Sequence, residues 1–194
     1  MNNNIKIIIG LGNIGNQYIG SRHNIGSDYI YQISKKFNVN IKKSNTLSGY
    51  IGKITKHNII LFIPDDFINN SGKSIFYITN FYKINLENIL VIHDELDLLP
   101  GIAKFKYGGS SGGHNGVQSI INVFKHSSFY RLRIGIGKPN NKNKINNFVL
   151  NKPNINEIKN INLALQRSLY AIDILINTNN YNLAMNFLHK KIMD

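Results

Sequence analysis

Ile5-Lys6-Ile7-Ile8-Ile9-Gly10-Leu11-Gly12-Asn13-Ile14-Gly15 is the stretch whose reading decides the fold. A short apolar run that ends in glycine predicts a buried strand running into a tight loop. The glycines match G-x-G-x-x-G, the pattern of a dinucleotide-binding strand–loop–helix unit. The context argues against that unit. Its helix opens within the glycines, and its second strand ends in an acid about 20 residues on. Here a polar stretch, residues 16–23, follows the loop, and the expected acid position falls within residues 30–36, which carry a helical pattern. A nicotinamide-dependent oxidoreductase built on this loop is the weaker reading.

Outward from this stretch, strand and helix patterns alternate. Ile30, Ile33 and Phe37 recur at helical spacing and predict a helix within residues 24–37. Residues 50–54 and 59–63 read as a hairpin turning near Lys56-His57-Asn58. A helix over 71–82 has Ser71 as its candidate cap. Residues 89–92 read as a second buried strand, and 102–107 and 131–136 as alternating strands. Helices are predicted over 114–124, 156–176 and 181–192, with connections at 140–144 and 151–156. The expected class is α/β: a mixed, twisted sheet covered by helices on both faces. One domain is expected to fill residues 1–194, its C-terminal helices starting near 156.

Composition narrows the function. No cysteine is present, which excludes disulfides, thiolate–zinc sites and cysteine nucleophiles. The mean hydropathy is −0.18, and no apolar run nears the roughly 18–20 residues of a membrane span. Met1-Asn2-Asn3-Asn4 carries no basic n-region, so a cytosolic location is expected. The net charge of +13 and pI near 9.8 fit a polyanionic partner. An AT-rich genome, favouring Lys, Asn and Ile, produces the same bias, so the placement of the charges has to decide.

Four segments carry polar residues that a strand-and-loop core does not need: Gly12 to Tyr18 with Ser21-Arg22-His23-Asn24, Asp66 to Gly72, His93-Asp94-Glu95-Leu96-Asp97, and Gly108 to Gly116. The runs GLGNIGNQY with SRHN, FINNSG, HDELDL, GGSSGGHNG and RLRIGIG closely resemble the bacterial peptidyl-tRNA hydrolase family, in order and in spacing, from about Ile5 to Leu150. Departures from the family pattern stand at Ile14 for proline, Ile63 for lysine, Asp65 and Asp66 for small polar residues, and Ile68 for methionine. The resemblance implies a monomeric α/β enzyme without metal or cofactor. It would hydrolyse the ester between a peptide, or an N-blocked amino acid, and the 3′ end of tRNA.

Ester cleavage needs an activated water and a place for negative charge. His23 is the base candidate, because imidazole is the side chain whose unperturbed pKa lies near neutrality. Asp94 is the candidate to orient it, and His114 is the rival base. Asn69 and Asn115 are candidate donors to a developing oxyanion or to the peptide; helix capping is their other reading. The resemblance adds Asn13 and Tyr18 to the same cleft. Lys104 with Lys106, and Arg131 with Arg133, each share one face of a strand and together suit tRNA phosphates. The resemblance supports that role for Lys104, Lys106 and Arg133. Lys138, Lys142, Lys144, Lys190 and Lys191 are expected to add diffuse attraction. The glycines from Gly108 to Gly116 form either a flexible turn or a backbone cradle for RNA. An RNA-binding relative without catalysis would lack the base or its partner, and this chain has both.

Overall fold

A computed structural model of the chain describes residues 4–190. In chain order it holds β1 (Ile7–Gly10), α1 (Ile25–Lys36), β2 (Lys42–Ser44), β3 (Gly49–Ile54), β4 (Ile59–Pro64), α2 (Ser71–Tyr82) and β5 (Ile89–Glu95). Then come β6 (Ala103–Tyr107), α3 (Asn115–Phe124), β7 (Tyr130–Gly135), α4 (Ile145–Leu150), α5 (Ile155–Thr178) and α6 (Tyr181–His189). The seven strands form one sheet in the order β2-β3-β4-β1-β5-β7-β6. β4, β1, β5 and β7 run parallel at its centre. β2, β3 and β6 add antiparallel edges. The class is therefore the expected mixed α/β sheet.

Alternation along β1 builds two cores. Ile8 faces the layer of α1 and α5 with Ile30, Ile33, Leu90, Leu132 and Ile172. Ile7 and Ile9 face α2 and α3 with Phe62, Ile75, Ile78, Val117 and Ile120. A strand covered on both sides has no polar face, which is why 7–9 reads as continuously apolar. Each such isoleucine contributes about 1.5–3 kcal/mol by leaving water.

The glycines after β1 serve packing. A Cβ on Gly26 would lie 2.3 Å from the carbonyl oxygen of Ile92 and 2.7 Å from that of Leu11, and one on Gly10 would lie 2.2 Å from the carbonyl of Gly26. Helix α1 thus crosses the sheet backbone against backbone. It starts at Ile25, well past the glycine loop, so that loop opens no helix. Tyr29 locks α1 to α5 by donating to the Leu165 carbonyl (2.8 Å) and meeting Ser168 Oγ (2.7 Å).

Several boundaries differ from expectation. β1 starts two residues later than expected and ends one later, and β5 runs on through Asp94 to Glu95. Ser71 does not cap α2; its Oγ donates back to the Ile68 carbonyl (2.8 Å), and Asn70 holds the cap position. β2 and α4 are additional elements. β2 is an exposed three-residue edge with two lysines and no period to read. The last expected helical residues, Lys191 and Ile192, lie outside the described residues.

Helix α4 is too short to be stable alone. It is held by Arg22, whose Nη1 donates to the carbonyls of Phe148 (3.0 Å), Asn151 (3.1 Å) and Lys152 (3.1 Å). Its other arm meets Glu157 Oε2 at 2.6 Å, and its guanidinium lies 3.9 Å from the Phe148 ring centre. Glu157 also closes a capping box with Asn154 at the start of α5. Breaking this nearly buried pair in Glu157→Ala leaves Arg22 charged with only carbonyl partners, a cost of about 3 kcal/mol. At roughly 2–4 °C per kcal/mol for a chain of this size, the melting temperature should fall by about 6–12 °C. Thermal denaturation followed by circular dichroism measures it, and an unchanged midpoint would remove Arg22 from its role as anchor.

Candidate active site

The parallel strands all end at one edge of the sheet, where α/β folds gather functional loops. At that edge β5 carries Asp94, which is 2% exposed. His23, in a single 3-10 turn before α1, places Nδ1 at 2.8 Å from Asp94 Oδ1 and 3.0 Å from Oδ2. His114 Nε2 lies 2.8 Å from the same Oδ1. Burial alone would raise the Asp94 pKa. The adjoining His114 and His23 outweigh it and hold the carboxyl well below the usual range. Asp94 is therefore an anion that only accepts, and both imidazole nitrogens facing it must donate.

The two histidines differ in what their second nitrogen does. His114 caps α3: its Nδ1 accepts from the backbone N–H of Gly116 (3.1 Å) and Val117 (3.3 Å). Both its nitrogens are committed. His23 Nε2 has no protein partner among the described residues, so its lone pair is open. His93 packs behind them, its Nδ1 donating to the Asp94 carbonyl (2.6 Å) and its ring edge against His114. Burial, then the neighbouring His114, push the His93 pKa well below that of an ordinary histidine.

A cavity of about 50 Å³ lies over this group, lined by His23, Asp94 and His114, by Gly112, Gly113 and Asn115, and by Ile145, Asn146 and Val149 of α4. It has room for water beside His23. His23, Asp94 and His114 are also the one group of histidine, cysteine or acidic residues among the described residues whose ligand atoms lie within 4.8 Å of each other. Their 2.8 Å contacts are those of direct hydrogen bonds.

The remaining candidates are spread around this cavity. Asn13 accepts at Oδ1 from the Ile68 N–H (2.9 Å) and lines a larger cavity of about 370 Å³ with Tyr31, Tyr50, Asp28 and Asp65. Asp65, a departure from the family pattern, pairs with Lys43 at 2.7 Å. Asn69 sits exposed in the turn Ile68–Asn70, and Tyr18 half-buried in the turn Asn16–Tyr18. Neither lines the cavity over His23, and neither Asn69 nor Asn115 caps a helix. Ser21, Arg22, His23 and Asn24 are all buried. Arg22 and Asn24 acquire partners that sequence reasoning missed, although both lie inside the SRHN run.

Lys104 stands opposite Arg133, and Lys106 opposite Arg131, on one face of the β6–β7 ladder. Arg131 does not belong with the phosphate candidates. It is 2% exposed, and its guanidinium donates to the carbonyls of Ser110 (2.9 Å) and Gly108. It braces the glycine loop, in which Gly108, Gly109, Gly112 and Gly113 all have positive φ. A Cβ on Gly112 or Gly113 would meet nothing within 4 Å, so conformation rather than crowding selects glycine there. Arg133 reaches Glu95 Oε2 at 3.5 Å, and Glu95 also lines the cavity over His23, so the basic face adjoins it.

Known proteins share both sequence and fold. The family described as peptidyl-tRNA hydrolase matches residues 7–194. A peptidyl-tRNA hydrolase of Vesicomyosocius okutanii is 46% identical over 189 residues, covering 96% of this chain and 97% of that protein. One from Photorhabdus laumondii is 44% identical over 189 residues, with 96% of each covered. The crystal structure of the Acinetobacter baumannii peptidyl-tRNA hydrolase superposes with a TM-score of 0.91 at 35% identity, covering 97% of this chain and 96% of that one. No helix among the described residues is long and apolar enough to cross a membrane. On a match this long in sequence and this close in fold, the chain belongs to the peptidyl-tRNA hydrolase family, hydrolases of peptidyl-tRNA.

Proposed function

We propose that the chain, as a monomer, cleaves the ester between a peptide or N-blocked amino acid and the 3′ end of tRNA, with His23 as general base on water and Asp94 as its orienter. The observation that carries this reading is the asymmetry of the two imidazoles. His114 is committed at both nitrogens, whereas His23 is fixed at Nδ1 and open at Nε2. Water gives a proton to His23 Nε2 as its oxygen attacks the ester carbonyl carbon. Asp94 stabilises the imidazolium so formed. The tetrahedral oxyanion collapses, the bond to the 3′ oxygen breaks, and that oxygen takes the proton from His23. The products are a peptide carboxylic acid, which loses its remaining proton to solvent and becomes a carboxylate, and tRNA with a free 3′ hydroxyl. No step is given to a metal or cofactor.

Asn115, at the cavity wall, is suited to donate to the oxyanion, and Asn69, on its exposed turn, to the peptide backbone. Asn13 and Tyr18 are assigned to the peptide and the terminal nucleotide. His114 binds by placing the start of α3, with Asn115, beside the reacting carbonyl. Lys104, Lys106 and Arg133 take phosphates of the acceptor end, and the glycine loop lets RNA approach between them and the cavity.

His23→Ala should lower the single-turnover rate on N-acetylated aminoacyl-tRNA by about 10²–10⁴-fold with affinity little changed. Asp94→Asn should lower it by less, since an amide still holds the ring but leaves the imidazolium uncompensated. A His23→Ala enzyme at near wild-type rate would move the base elsewhere. The phosphate assignment predicts a steep salt dependence. Lys106→Ala with Arg133→Ala should flatten the slope of log affinity against log salt by up to about 1.8. Equal slope and equal affinity in that double variant would sink the clamp.

A further inference from the structure

Asn24 occupies the N-cap position of α1, where asparagine ordinarily accepts from an N–H of the first turn. It makes no such bond. Both ends of its amide go to Asn13 instead: Oδ1 accepts from the Asn13 N–H (2.9 Å) and Nδ2 donates to the Asn13 carbonyl (2.9 Å). The side chain is 5% exposed, and the pairing admits one amide orientation, since a flip would set donor against donor and acceptor against acceptor. The backbone at Asn24 (φ −93°, ψ 2°) continues the 3-10 turn Arg22–Asn24 and is not the extended form a capping side chain needs, so the amide is free to serve the loop after β1.

What the clamp holds is visible one bond further on. Asn13 spends its own Oδ1 on the Ile68 N–H (2.9 Å), at the start of the turn that presents Asn69. Its Nδ2 is left without a protein partner among the described residues, at the wall of the 370 Å³ cavity. His23 precedes Asn24 directly in the chain. The base, Asn13 and the Asn69 turn are thus placed relative to one another through one buried amide. We infer that Asn24 is a positioning residue, which fixes the main chain of Asn13 and, through the Asn13–Ile68 bond, the turn carrying Asn69. This rests on the reading of Asn13 and Asn69 as substrate-binding. Asn24 touches no substrate itself and acts through Asn13.

A double-mutant cycle on the hydrolysis of N-acetylated aminoacyl-tRNA tests it. Asn24→Ala should raise KM by about tenfold or more, the loss expected when a buried hydrogen-bonding pair is orphaned, with kcat changed far less. Its rate–pH profile should keep the wild-type shape, because the His23–Asp94 bonds do not involve Asn24. Asn13→Ala alone should give a similar loss, and adding Asn24→Ala to it should cost less than about twofold more. Asn24→Asp should be at least as impaired as Asn24→Ala, since its carboxylate would face the Asn13 carbonyl. If Asn24→Ala does not fold, Asn24→Ser carries the same cycle. Losses that multiply, a fall in kcat at unchanged KM, or a silent Asn13→Ala beside an impaired Asn24→Ala would each overturn the inference. A failure of the catalytic reading would instead show as an active His23→Ala enzyme.

Discussion

One buried carboxylate organises the functional end of this molecule. Asp94 is an anion inside the protein, and an unpaired charge there would cost several kcal/mol. It is compensated by two imidazole N–H donors and lies at the end of a fully buried strand. Each donor ties a different element to β5. His23 brings the loop after β1, and His114 brings the start of α3. His114 does this as a relay: the helix amides select its Nδ1 as acceptor, which leaves Nε2–H for Asp94. The same commitment leaves His23, of the two, with the open nitrogen among the described residues. Hydrogen-bond accounting thus distinguishes the two imidazoles, and the proposed assignment of the base rests on that difference.

Arg22, His23 and Asn24 show how consecutive buried polar side chains can each find partners in a different part of the fold. Arg22 reaches the end of α4 and the start of α5, His23 reaches β5, and Asn24 reaches the loop after β1 and, through Asn13, the turn before α2. Three consecutive side chains therefore gather elements that are distant in sequence. The close crossing of α1 over the sheet at Gly10 and Gly26 brings this run to the strand ends. A larger residue at either glycine would lift the helix and with it all three contacts.

Sequence reasoning reached the parts of this arrangement that leave a periodic or motif signal. Ile7, Ile8 and Ile9 announce a buried strand because both faces are covered, and Ile30 and Ile33 announce α1 by their spacing. His23 and Asp94 were legible as a pair because base and acid chemistry needs both. What stayed hidden depends on tertiary partners. Helix α4 is six residues between polar stretches and owes its existence to Arg22, from the far end of the chain. Arg131 and Arg133 have identical patterning, yet one is buried under the glycine loop and the other is not. Alternation places both on one face and says nothing of a loop folding over half of it. Asn24 had no signal of its own beyond its place in the SRHN run, and only the direction of its amide shows what it holds.

The same accounting bears on the net charge. Among the described residues some cations form surface pairs, as Lys36 does with Asp173 and Lys43 with Asp65. Such pairs contribute about 0–1 kcal/mol and follow base composition as readily as function. The β6–β7 ladder is different. Like charges directly opposite across strands are destabilising, and here they stand opposite twice, Lys104 with Arg133 and Lys106 with Arg131. Burial first, and then the nearby Arg131 and Arg133, lower the Lys106 pKa. Glu95, at 3.5 Å from Arg133, opposes that shift. Base composition explains many lysines; it does not explain arginines and lysines held in repulsive register next to the cavity at His23. Arg131 is already answered by the Gly108 and Ser110 carbonyls, so under the proposed function a polyanion would answer the other three, Lys104, Lys106 and Arg133. Stability forgone in the free protein would then be regained on binding, and that coupling would separate a binding surface from a merely basic one.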